Sequence, residues 1–143
     1  MALDYRYIFL PEQDFFWATY TGDVTLRDLT RAHEDFKAHP SYASNLDELL
    51  DFSRCSFDTL STKQVEIMRL YLLDQPARDN SKSSIIVGTE LEFGLARMLS
   101  AIISDVAPVT RGVFYTPEDA LAWMRPDQAD EITAAHQAAV DQS

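Results

Sequence analysis

The chain has 143 residues and is 46% hydrophobic, long enough to bury roughly 70% of the surface its unfolded form exposes around one core. A formal net charge of -11 opposes nucleic acid, where Lys and Arg must neutralise phosphates, and disfavours anionic membrane surfaces. A single cysteine, Cys55, excludes an internal disulfide and a Cys-rich zinc site and suits a reducing compartment.

Asp4 and Arg6 interrupt the N-terminal segment early, so no secretory signal is expected there. No apolar run approaches the roughly 20 residues that span a bilayer. The expectation is a cytoplasmic protein.

Tyr5 to Leu10 and Phe15 to Thr21 read as two strands joined by a short connection with Pro11 and Asp14, the spacing of an antiparallel pair. Gly22 and Asp23 end the second strand. Thr25 with Asp28 three residues on resembles a capping box, and Leu26, Leu29, His33 and Phe36 then share one helix face up to His39-Pro40. Leu46 to Phe52 is a short apolar strand, and Ser61 with Gln64 caps a second helix that runs towards Pro76.

Ile85, Ile86 and Val87 are consecutive β-branched residues, as expected of a strand buried on both faces. After Gly88, Thr89 with Glu92 caps a third helix. Gly112 to Tyr115 forms a last strand, and Thr116-Pro117-Glu118-Asp119 opens a helix with a cap, Pro at the first position and acids in the first turn. Beyond Pro126, Ile132, His136 and Val140 draw a thin apolar line on an appended helix that either docks on the sheet, mediates self-association or frays. The expected organisation is an α/β domain over residues 1–125 and a C-terminal helical tail over 126–143.

Strand and helix alternate throughout, which implies right-handed crossovers and a five-stranded, mostly parallel sheet with the first strand as an antiparallel edge. With that order laid out, several segments resemble the small bacterial SpoIIAA-like proteins of the STAS superfamily. The resemblance covers most of residues 5–124 and rests on Tyr20-Thr21-Gly22-Asp23-Val24-Thr25, Leu49-Leu50-Asp51-Phe52-Ser53, Phe93-Gly94-Leu95-Ala96-Arg97-Met98, and Val113-Phe114 with Ala120-Leu121-Ala122-Trp123-Met124.

The resemblance implies successive strand-helix units shared with lipid-carrying SEC14-type domains, and implies no established enzymatic activity. Anti-sigma-factor antagonists of that superfamily carry a phosphorylatable Ser in an Asp-Ser-Ser-Gly-like segment. Here the region reads Phe57-Asp58-Thr59-Leu60-Ser61-Thr62, with hydroxyls at Ser61 and Thr62 but without the Ser-Ser-Gly pattern.

Ligands of open parallel sheets gather outside the carboxyl ends of strands, where helix N-termini present unpaired N–H groups. That rule nominates Asp51, Ser53, Thr59, Ser61 and Thr62 at the end of the third strand, and Gly88, Thr89 and Gly94 at the fourth. The competing reading makes Ser61 and Thr89 plain helix caps and Asp51 a turn acceptor. Gly94 costs about 1 kcal/mol inside a helix, so a close backbone or ligand approach is expected there.

Spacing at 100° puts Leu91, Leu95, Met98, Leu99 and Ile102 on the core face of the third helix, and Phe93, Arg97 and Ser100 opposite. Phe93 beside Arg97 is a pair favoured at binding hot spots. On the second helix Val65, Met68 and Leu72 make a core stripe while Ile67, Leu70, Tyr71 and Leu73 carry apolar surface further round. Such excess calls for burial against a partner subunit, the C-terminal helix, an apolar ligand or the domain itself.

No phosphate loop occurs, no two histidines share a helical metal spacing, His33 should not reach Asp51, and Cys55 has no evident base beside it. No cofactor or metal is expected. The sequence therefore reads as a non-enzymatic binding or regulatory domain working through protein contacts, as a homodimer, with carriage of an apolar or lipid-like small molecule as the alternative.

Overall fold

The computed structural model describes residues 1–75, 81–104 and 109–143. Within these residues the chain runs β1 (Asp4–Leu10), β2 (Phe15–Asp23), α1 (Leu26–Ala38), β3 (Asp47–Ser56), α2 (Thr62–Leu73), β4 (Lys82–Ile86), α3 (Glu90–Ile103), β5 (Thr110–Phe114), α4 (Pro117–Met124) and α5 (Ala129–Asp141). Pro76, towards which the sequence carries the second helix, lies outside the described residues.

The strands form one sheet in the order β1-β2-β3-β4-β5. β1 is antiparallel to β2 and the remaining pairs are parallel. The tight β1-β2 connection is a 3-10 turn, Pro11–Gln13, closed by Asp14 at φ 51°, a left-handed conformation that Asp tolerates.

All four Ser/Thr caps expected from the sequence form. The N–H groups of Asp28, Gln64, Glu92 and Asp119 each donate to the cap hydroxyl three residues earlier, Thr25, Ser61, Thr89 and Thr116, at 3.2 Å. Each hydroxyl satisfies one of the amides that a helix start leaves unpaired.

Alternation along the strands builds two cores. Phe16, Ala18, Tyr20, Phe52, Ile85 and Val87 face α1 and α3 on one side of the sheet. Phe15, Trp17, Leu49 and Ile86 face α4 and α5 on the other. The β2-β3 register shifts between Thr19 and Thr21, so that Thr19 pairs with Asp51 but Thr21 with Arg54. That extra residue lets Phe52 and Cys55, three apart, face the same core, which an unbroken period of two forbids.

The C-terminal helix docks, one of the three outcomes left open by its thin apolar line. Ile132 is fully buried against α4 and the sheet, and the His136 ring stacks on Trp17 with centroids 3.7 Å apart. Gly88 and Gly22 mark close approaches: a Cβ at Gly88 would sit 2.5 Å from the Ser53 carbonyl oxygen, and Gly22 adopts φ +109° with the Ala2 carbonyl oxygen 2.4 Å from where a Cβ would stand.

Candidate functional site

The sheet divides the residues nominated at its carboxyl edge. Asp51, in step with Leu49, projects towards α5, where its charge acts on His136. Its Oδ1 accepts from the Ser53 N–H at 2.9 Å, a turn acceptor as the competing reading has it. Thr59 instead donates its hydroxyl to the Val24 carbonyl at 2.6 Å, and Ser61, with Thr62 following, starts α2 above the opposite face. Thr89 caps α3. These side chains do not converge on one point.

The face assigned to α3 from spacing is rotated by about a quarter turn from the one observed. Ala96 and Ile103 are the buried residues of this helix, whereas Leu91 is 68% and Met98 53% exposed. Phe93 packs against the core with its ring stacked on Tyr115 at a centroid distance of 4.9 Å, and Arg97 alone of that pair is exposed. Small Ala96 and half-buried Ser100 let the helix seat closely, so packing volume rather than apolar count selects its inner face.

Gly94 is likewise not explained by a close protein approach. A Cβ there would meet no heavy atom within 4 Å. Cys55 is buried, and burial, with the Glu92 and Asp51 charges adding to it, pushes its thiol up to about 12. A thiol held protonated is no nucleophile at neutral pH. Among the described residues no group of three or more His, Cys, Asp or Glu is gathered for a metal ion.

Between α1, α2, α3 and the sheet lies a cavity of about 210 Å³. Its walls are mostly apolar: Phe16, Leu50, Phe52 and Ile85 rise from the strands, and Phe36, Met68, Leu72, Ala96, Leu99 and Ile103 descend from the helices. The excess apolar surface of α2 thus splits in two. Val65 and Met68 turn inward as expected, while Leu70 is 56% and Leu73 59% exposed.

Tyr20, Thr30 and Tyr42 also line the cavity, and the remaining polar groups enter it at two places. On the helix side His33 Nδ1 lies 2.8 Å from the Tyr71 phenol oxygen. The phenol donates to Glu34 Oε1 at 2.5 Å, so its oxygen is left to accept from the His33 N–H. Glu34 also pairs with Lys37 at 3.0 Å, and Lys37 donates to the Gln75 side chain.

These contacts tie α1 to α2. Burial and the bond to Glu34 push the Tyr71 phenol well above its ordinary value, and bonds from Tyr71 and Lys37 lower the Glu34 carboxyl. On the sheet side Glu48, Ser83 and Arg111 reach the cavity from adjacent strands. Sequence reading selected Tyr71 but neither Glu48 nor Arg111, whose shared level appears only once the strands are in register.

A sheet with one antiparallel edge, three helices over one face and the last two on the other defines a SpoIIAA-like fold. A solved structure similar to it is an uncharacterized protein from the DUF3478 family with a SpoIIAA-like fold, from Shewanella loihica PV-4. The two share 18% sequence identity and superpose with a TM-score of 0.52 over 85% of this chain and 93% of that one. No family model and no curated protein matches the chain. Among the described residues no helix is long and apolar enough to cross a membrane.

Proposed function

We propose that the protein is a non-enzymatic binding module that holds a small apolar molecule between its sheet and helices α1 to α3. One observation carries this reading: a cavity of about 210 Å³ with predominantly aromatic and aliphatic walls. Apolar space of this size suits a small apolar molecule, and a cavity of similar size binds benzene. Concave apolar sites with a few placed polar groups are the usual form of small-molecule pockets.

Native mass spectrometry of the purified chain, followed by organic extraction, tests the reading. A co-purifying apolar compound, or saturable uptake of an added one, is the expected result. A protein that neither carries nor takes up any apolar molecule contradicts it.

A second reading, of a regulatory domain acting in the cytoplasm as a homodimer, is favoured by the exposed Leu70 and Leu73 on α2 and Leu91 and Met98 on α3. Light scattering of a Leu70→Asp, Leu73→Asp double variant discriminates. Loss of a dimeric mass supports it, and a monomer throughout removes it. Phe93, packed inward, is not the residue with which to test an interface.

A further inference from the structure

Three parallel strands set Glu48, Ser83 and Arg111 side by side at one level of the sheet, Glu48 paired with Ser83 and Ser83 with Arg111. All three line the cavity. Two residues further along the same strands stand Leu50 and Ile85, and two beyond Leu50 stands Phe52. Along β3 and β4 the cavity floor is therefore polar at the strand starts and apolar from there on, with the apolar Phe16 of β2 beside Glu48.

Ser83 is buried and donates its hydroxyl to Glu48 Oε1 at 2.9 Å. Arg111 Nη1 donates to the Val109 carbonyl at 3.5 Å. Strands lie about 4.8 Å apart, so the backbones of Glu48 and Arg111 stand about 10 Å apart across Ser83, close enough for their long side chains to reach one head group.

Resting on the ligand-binding reading, we propose that the molecule held is a neutral amphiphile, an apolar body ended by a hydroxyl or amide that docks on the Glu48-Ser83-Arg111 row. At protein packing density the cavity accommodates about eight to ten heavy atoms. The head is selected by charge. A carboxylate drawn to Arg111 must sit close to Glu48, and an ammonium drawn to Glu48 must sit close to Arg111, each in a poorly solvated space where like charges repel strongly. A hydroxyl or amide escapes both penalties, because it donates to the acid and accepts from the base while carrying no charge.

Calorimetric titration of the full chain with 1-octanol, octanoate and octylammonium tests this. The hydroxyl compound is expected to bind at least about tenfold more tightly than either ion, the scale of one hydrogen bond to a charged group. In Glu48→Gln the octanoate affinity rises by about tenfold relative to 1-octanol, and in Arg111→Gln the octylammonium affinity does so. Circular dichroism and retained 1-octanol binding show which variants are folded, and the ranking in the unmodified chain stands even if neither variant folds. Tightest binding of an ion by the unmodified chain, or a ratio of octanoate to 1-octanol affinity unchanged in folded Glu48→Gln and of octylammonium to 1-octanol affinity unchanged in folded Arg111→Gln, overturns the proposed head group while leaving the cavity reading intact. Absence of binding by all three overturns both.

Discussion

His33 and Tyr71, 38 residues apart, meet at 2.8 Å and join α1 to α2 beside the cavity. The phenol sits between the imidazole and the Glu34 carboxylate, donating to one and accepting from the other. Tyr71→Phe keeps the ring and removes both bonds. Chemical denaturation is expected to show a loss of about 0.5–1 kcal/mol, the low end for a partly solvated hydroxyl. No change in midpoint would mean that water replaces the phenol without cost.

The two glycines flanking the start of α3 predict opposite outcomes. Gly94→Ala adds a methyl to open space inside a helix and is expected to stabilise by about 1 kcal/mol. Gly88→Ala drives a Cβ to 2.5 Å from the Ser53 carbonyl oxygen, so β3 and β4 must separate and stability falls. Thermal unfolding of the two variants side by side checks the sign of each, and destabilisation by Gly94→Ala would point to a contact at that helix face that the fold does not show.

Arg125 gathers distant parts of the chain. Its Nε meets Asp47 Oδ2 at 2.7 Å, its Nη1 donates to the Gln13 carbonyl and Gln128 Oε1 at 2.8 Å, and its Nη2 donates to the Asp14 carbonyl at 3.2 Å. Asp47 Oδ1 accepts from the Lys82 N–H at 2.7 Å. Arg125→Ala leaves a largely buried carboxylate without its cation and is expected to cost about 2–3 kcal/mol in urea denaturation. A loss below 0.5 kcal/mol, about that of an exposed pair, would contradict this assignment.

Burial lowers the His136 imidazole below its ordinary value, with the Asp51 charge opposing the shift. The unfolded chain then takes up a proton before the folded one does. Stability from neutral His136 is full above about pH 6.5 and is lost as pH falls through the lowered folded value. The denaturation midpoint should therefore drop between pH 7 and pH 5, and His136→Gln should flatten that drop. The lowered Glu34 carboxyl acts in a more acidic window, so it leaves this one clear. An identical pH profile in the variant would show that the histidine titrates as in the unfolded chain.

Local chemistry was legible in the sequence, and long-range placement was not. Thr25, Ser61, Thr89 and Thr116 announce four helix starts, and each forms its cap, because an N-cap hydroxyl acts only on its own first turn. Ile85 to Val87 likewise announce a strand buried on both faces. The inner face of α3 was misjudged because the sequence offers too many apolar positions, and small Ala96 outcompetes Leu91 and Met98 for the close contact. The row of Glu48, Ser83 and Arg111 depends on parallel register, and the Asp47-Arg125 pair spans 78 residues. A cavity has no sequence signature at all, since it is where side chains from seven elements fail to meet.

The most direct test of the account is a titration of the isotopically methyl-labelled chain with 1-octanol, followed by NMR. Saturable shifts at Leu50, Leu72, Ile85, Leu99 and Ile103, all lining the cavity, with Leu91 on the outer face unmoved, are the predicted result. Shifts spread over exposed methyls without saturation, or no shifts at millimolar concentration, would contradict a ligand-binding interior.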